Sequence, residues 1–134
     1  MRYDVINMHY QLGFDYEYGR NGKVQNMDKA LSEFEFVAEL GDPDGFVAAA
    51  RCIMHLVGLN LGRIKWYIEK GVKNGSVEAK NMMGYGYLNG KFGYARDVAK
   101  GSKLICEAMQ EESIFTYRFI DSKVTAQCGV VSFA

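Results

Sequence analysis

Apolar side chains recur every three or four positions along most of the chain, which is the spacing of one face of a helix. Ile6, Leu12, Gly13 and Tyr16 follow it first, then Ala30, Phe34, Val37, Ala38 and Gly41. Punctuation agrees with this reading. Asp42 followed by Pro43 is an N-cap with proline at the first helical position. Ser76, Asp97 and Ser113 are further cap candidates, and Asp28 and Glu78 fall in first turns, where the helix dipole favours acids. Asn21-Gly22, Asn74-Gly75 and Asn89-Gly90 resemble hairpin turns, but their flanks do not alternate. They read better as helix ends that need left-handed backbone. The pattern predicts seven helices, over 4–18, 27–40, 43–57, 61–74, 76–89, 97–111 and 113–125. The tail, 126–134, is apolar without a clear period.

The helices repeat. Leu12-Gly13, Tyr16, Gly19, Gly22, Lys29-Ala30, Phe34, Ala38 and Gly41 in the first segment answer to Met83-Gly84, Tyr87, Gly90, Gly93, Asp97, Lys100, Leu104, Ala108 and Met109 in the third. A degenerate middle segment has Ala49-Ala50 in place of the Leu-Gly pair, followed by Trp66-Tyr67, Lys70-Gly71 and Gly75. The closing positions Gly41, Gly75 and Glu112 lie 34 and 37 residues apart, a period typical of helix-turn-helix solenoids. The prediction is therefore an all-α chain: a single-domain α-solenoid of three antiparallel helix pairs (about 4–41, 42–75 and 76–112) closed by a capping helix over 113–125.

Composition changes this picture little. One domain suits 134 residues. Fifteen glycines accompany a single proline, as expected if glycines mark helix crossings and ends rather than long loops. Sixteen basic and sixteen acidic residues cancel, which argues against a general nucleic-acid binder. The cancellation hides a polarity. Residues 28–44 hold six acids and one lysine, whereas 63–103 hold nine bases and three acids. Such polarity steers an oppositely charged partner. No stretch has the apolar core of a signal peptide or the length of a membrane span. Cys52, Cys106 and Cys128 lack the CxxC spacing of a zinc site and read as free thiols, so the expected location is the cytoplasm.

The motif Leu-Gly-x-x-Tyr-x-x-Gly, followed by glycine, aspartate, Lys-Ala, an aromatic residue and Ala-Ala, resembles the Sel-one-like repeat, a relative of the tetratricopeptide repeat. The third segment is most similar, and the first carries one extra residue before Lys29-Ala30. The middle segment departs most, with a short connection at 57–62. On this pattern Gly13 and Gly84 sit where paired helices cross, with Ala50 in the equivalent place, and Tyr16 and Tyr87 fill space between helices. The resemblance implies a protein-binding scaffold with a concave face lined by the first helix of each pair. Taking the Leu-Gly glycine as origin, positions −6, −3, +1 and +4 face that groove. They are Asn7, Tyr10, Phe14 and Glu17, then Asp44, Val47, Arg51 and Met54, then Glu78, Asn81, Tyr85 and Leu88, with Phe115 and Arg118 on the last helix. The set is rich in the Tyr, Phe, Arg and Met of interface cores.

Catalytic candidates are few. His9 and His55 lie on different helices with no third ligand at metal spacing. Cys52 and His55, three apart, could share a helix face as a nucleophile pair, but no orienting group or oxyanion site accompanies them. No catalytic residue, metal or cofactor is expected. The function expected is a non-catalytic interaction module. Its favoured form is a cytosolic inhibitor or immunity protein that neutralises a toxin or effector, since some small bacterial members of the family act so. The alternative is a regulatory adaptor or scaffold in bacterial signalling. A remote one is nucleic-acid association through the 63–103 stretch. No membrane partner is expected, and homodimerisation through the tail is open.

Overall fold

The computed structural model describes residues 2–56 and 60–111. Among them are six helices and no strand: α1 (Arg2–Tyr18), α2 (Met27–Glu39), α3 (Asp44–His55), α4 (Leu61–Lys73), α5 (Val77–Asn89) and α6 (Val98–Glu111). All six were predicted to within two residues at each end. The capping helix, the tail, Phe115 and Arg118 lie outside the described residues.

The caps explain the starts. Asn26, Asn60 and Ser76 each accept a hydrogen bond from the backbone N–H three residues on. Asp97 does the same for Lys100 at 3.0 Å. At α3 the cap position falls on Pro43 rather than on Asp42, without a side-chain cap bond, and the Asp42 carboxylate instead accepts from the Asp44 N–H at 3.0 Å in the turn before the helix. Gly90, with φ 65°, ends α5 in the left-handed conformation.

Contacts divide the chain into two compact units, Met1–Gly75 and Ser76–Ala134. In the first, α1 packs on α2, α2 on α3 and α3 on α4; in the second, α5 packs on α6. Two helix crossings lie where glycine was expected. A Cβ on Gly13 would meet the Phe34 ring at 2.5 Å, and one on Gly84 would meet Ile105 at 2.7 Å and the Gly101 carbonyl at 2.9 Å. Gly45 makes a third crossing, against the α2 backbone at Ala38.

The first and third segments agree more closely than the sequence pattern suggested. Tyr16 and Tyr87 each accept, on the backbone carbonyl, from the N–H of the next helix's cap, Asn26 and Asp97, at 2.8 and 2.7 Å. Left-handed backbone occurs at Gly19, Asn21 and Gly22, and again at Gly90, Phe92 and Gly93. All these pairs are 71 residues apart. The extra residue expected before Lys29-Ala30 is therefore not there. The aligned cap is Asn26, and Asp28 sits inside the first turn.

Candidate binding surface of the first unit

Glycine at position 13 brings α1 down onto α2, and Phe34 fills the crossing, fully buried. Two side chains of α1 pack around it. Phe14 meets it edge-on at 5.3 Å between ring centroids, and Tyr10 lies 6.1 Å away. Tyr10 and Phe14, one helical turn apart, stack at 5.9 Å. From α3, the Arg51 guanidinium reaches over this cluster, 5.6 Å from the Phe34 centroid and 5.8 Å from that of Phe14. Cation–π attraction holds a guanidinium at such distances.

Arg51 is pinned from below. Its Nε donates to Glu17 Oε2 at 2.6 Å and its Nη2 to Oε1 at 2.8 Å. Glu17 is 1% exposed, while the Arg51 side chain keeps 32% of its surface open. Burial opposes the charge on Arg51, but the Glu17 carboxylate more than offsets this and holds the guanidinium above its ordinary pKa. The partners are 34 residues apart, one repeat period. The Tyr10 hydroxyl is buried beside the Asp42 carboxylate. Burial, and then the nearby Asp42 and Asp44 carboxylates, push its phenol upward.

Of the residues expected on the groove, Tyr10, Phe14, Glu17 and Arg51 thus form one cluster. Asn7 and Asp44 are exposed, Met54 is half-buried and Val47 is in the core. In the second unit Glu78, Tyr85 and Leu88 are half-buried, and Asn81 is buried. Tyr85 packs near Phe92 at 5.9 Å. A Cβ added at Gly101 would come within 2.6 Å of the Leu88 backbone nitrogen. Sequence reasoning missed Phe34 as a member of the cluster. For the Glu17–Arg51 pair the available signal was opposite charge at positions +4 and +1 of successive repeats.

The residues weighed for chemistry lie elsewhere. His9 pairs with Glu33 and packs on Phe36 at 4.5 Å, while His55 is exposed. No group of three metal-binding side chains occurs among the described residues. Cys52 is fully buried, and burial followed by the Glu17 charge pushes its thiol up to about 12. A thiol so held stays protonated at neutral pH and is a poor nucleophile. Cys106 is disulfide-bonded, which corrects the expectation of a free thiol there.

No family model matches this chain, and no curated protein matches it. A solved structure does: a Sel1 repeat protein from Oxalobacter formigenes, with a TM-score of 0.67 and 19% identity over 80% of this chain. The fold is thus the α-helical repeat of the Sel1 type, as the Leu-Gly-x-x-Tyr-x-x-Gly motif led us to expect. The match spans 44% of the Oxalobacter chain. No described helix is long and apolar enough to cross a membrane.

Proposed function

We propose that this chain is a non-catalytic protein-binding module acting through the surface built on Tyr10, Phe14 and Arg51. The observation that carries this reading is the Glu17–Arg51 pair. It holds a part-exposed guanidinium over two aromatic rings, so the surface is organised before a partner arrives. Tyrosine and arginine so held are the residues on which binding energy concentrates. The repeat fold, whose stacked helices present extended surfaces, supports the same reading.

Within this class the favoured role is an inhibitor of the immunity type that covers a toxin or effector. The separation of acidic and basic segments suits rapid, oriented one-to-one docking. A regulatory adaptor in bacterial signalling is the alternative. The nucleic-acid reading loses support where its bases are already paired, as Arg63 is with Glu35 at 3.7 Å. Lys80 is also neutralised by Glu111 at 2.5 Å and Glu107 at 3.9 Å.

The test begins with affinity capture from the native host, followed by reconstitution with the purified partner. Tyr10→Ala is expected to weaken binding about thirtyfold, the hot-spot range, with helical circular dichroism unchanged. An unchanged dissociation constant rejects this surface. Tyr10→Phe is the finer probe. It removes only the hydroxyl and keeps the ring, so stability is expected to stay within about 1 kcal/mol of wild type. Growth inhibition by the partner alone, relieved by co-expression of this chain, distinguishes the immunity role from the adaptor role.

A further inference from the structure

Helix α4 carries a second surface, distinct from the cluster on α1 and α3. Arg63, Trp66, Lys70 and Lys73 follow one another at intervals of three, four and three residues, which places them in one stripe on a helix. The opposite face of α4, with Ile64, Tyr67, Ile68 and Gly71, is buried, and α4 packs on α3. Trp66 is 52% exposed, unusual for the largest apolar side chain. Its ring is fixed by Phe46, edge-on at 6.4 Å, and by Lys70, whose Nζ lies 5.7 Å from the ring centroid. The neighbouring acids are Glu69 on the same helix and Glu35 on α2. Glu35 takes the Tyr67 hydroxyl and approaches Arg63 at 3.7 Å. Helix α4 keeps four bases against one acid.

We propose that this stripe docks an acidic protein segment, with carboxylates around Trp66 and an apolar side chain on its ring. Charge complementarity selects an anionic occupant, and the arrangement of the face selects protein among anions. An aromatic anchor with a charged rim has the composition of an interface centre. The stripe from Arg63 to Lys73 is about 15 Å long, and three or four cations fall short of the roughly six to ten phosphate contacts of a typical nucleic-acid site. A membrane-surface helix needs its apolar face free for lipid, and in α4 that face is already spent on the core.

The proposal shares the protein-binding reading but uses another face, so the two fail separately: Tyr10→Ala probes the first and α4 variants the second. Trp66 is the only tryptophan in the chain, so its emission reports occupancy of this stripe alone. The probe is a labelled amphipathic peptide of Glu and Leu about 12 residues long, matched to the stripe. At about 50 mM salt we expect saturable binding by anisotropy with a blue shift of Trp66 emission. Binding should weaken about tenfold in Lys70→Glu/Lys73→Glu and about thirtyfold in Trp66→Ala, the hot-spot range. Lys73→Glu alone, at an exposed position, gives a smaller loss and guards against a misfolded double variant. No saturable binding, or binding that survives the charge reversal in a folded variant, overturns the proposal. Single-stranded DNA or anionic vesicles shifting the emission where the peptide does not also overturn it.

Discussion

Glu17 has almost no contact with water, and both of its carboxylate oxygens are taken by Arg51. Removing one partner of such a pair leaves an uncompensated buried charge, which costs more than the pair contributes. Arg51→Ala is therefore expected to lower unfolding stability by about 3 kcal/mol, whereas Glu17→Leu/Arg51→Met costs far less. Urea denaturation of the single and double variants measures the coupling. Periodicity placed both residues on one stripe. It could not show that they would face each other, because that depends on how successive repeats are stacked. Cys52 adds a pH dependence. In the fold its thiol titrates near 12, against an ordinary value near 9. Between those values the unfolded chain has lost a proton that the folded chain retains, so stability falls as pH rises through this window. The full contribution is present below pH 9 and is lost progressively above it. Denaturation midpoints across about pH 8 to 11 check this, and alkylation of Cys52 at about pH 8 should be slow until the chain unfolds.

The helices were legible because their ends are chemically marked. Ser76 and Asp97 advertise caps, Asp42-Pro43 marks the turn into α3, and Asn89-Gly90 marks a left-handed stop. Asn26 and Asn60 went unrecognised because an asparagine ahead of a helix reads equally well as loop. The glycines separate into two kinds that composition cannot distinguish. Gly101 sits against backbone: an added Cβ would lie 2.6 Å from both the Gly84 carbonyl oxygen and the Leu88 nitrogen. Gly22 has open space around it and only a positive φ of 80° to object to a side chain. Gly101→Ala should therefore force α5 and α6 apart and cost about 3 kcal/mol. Gly22→Ala should cost only about 1 kcal/mol. Thermal melts by circular dichroism order the two, and a larger loss for Gly22→Ala would contradict the crossing geometry.

Across the chain, formal neutrality conceals an ordered distribution of charge. The acids of 28–44 lie on α2, the turn after it and the first residue of α3, and α4 supplies a concentration of bases, all in the first unit. Charge so separated acts at a distance and sets the rate of encounter more than the lifetime of the complex. Association with the physiological partner should slow by about tenfold between about 50 and 300 mM salt, with dissociation nearly unchanged. Stopped-flow mixing separates the two rates.

Helix number, helix limits and repeat period in the described residues came from local signals: apolar spacing, caps and glycines act over a few residues and leave their mark in one dimension. The correspondence of Tyr16 with Tyr87 and of Gly13 with Gly84 was visible for the same reason. The fate of individual side chains on a stripe was not. Val47 entered the core, Glu17 was consumed by Arg51, Phe34 rose into the aromatic cluster and Trp66 stayed in solvent. Packing between helices distant in the chain settled each of these, because a helical period names a face and only the neighbouring helix determines what meets it.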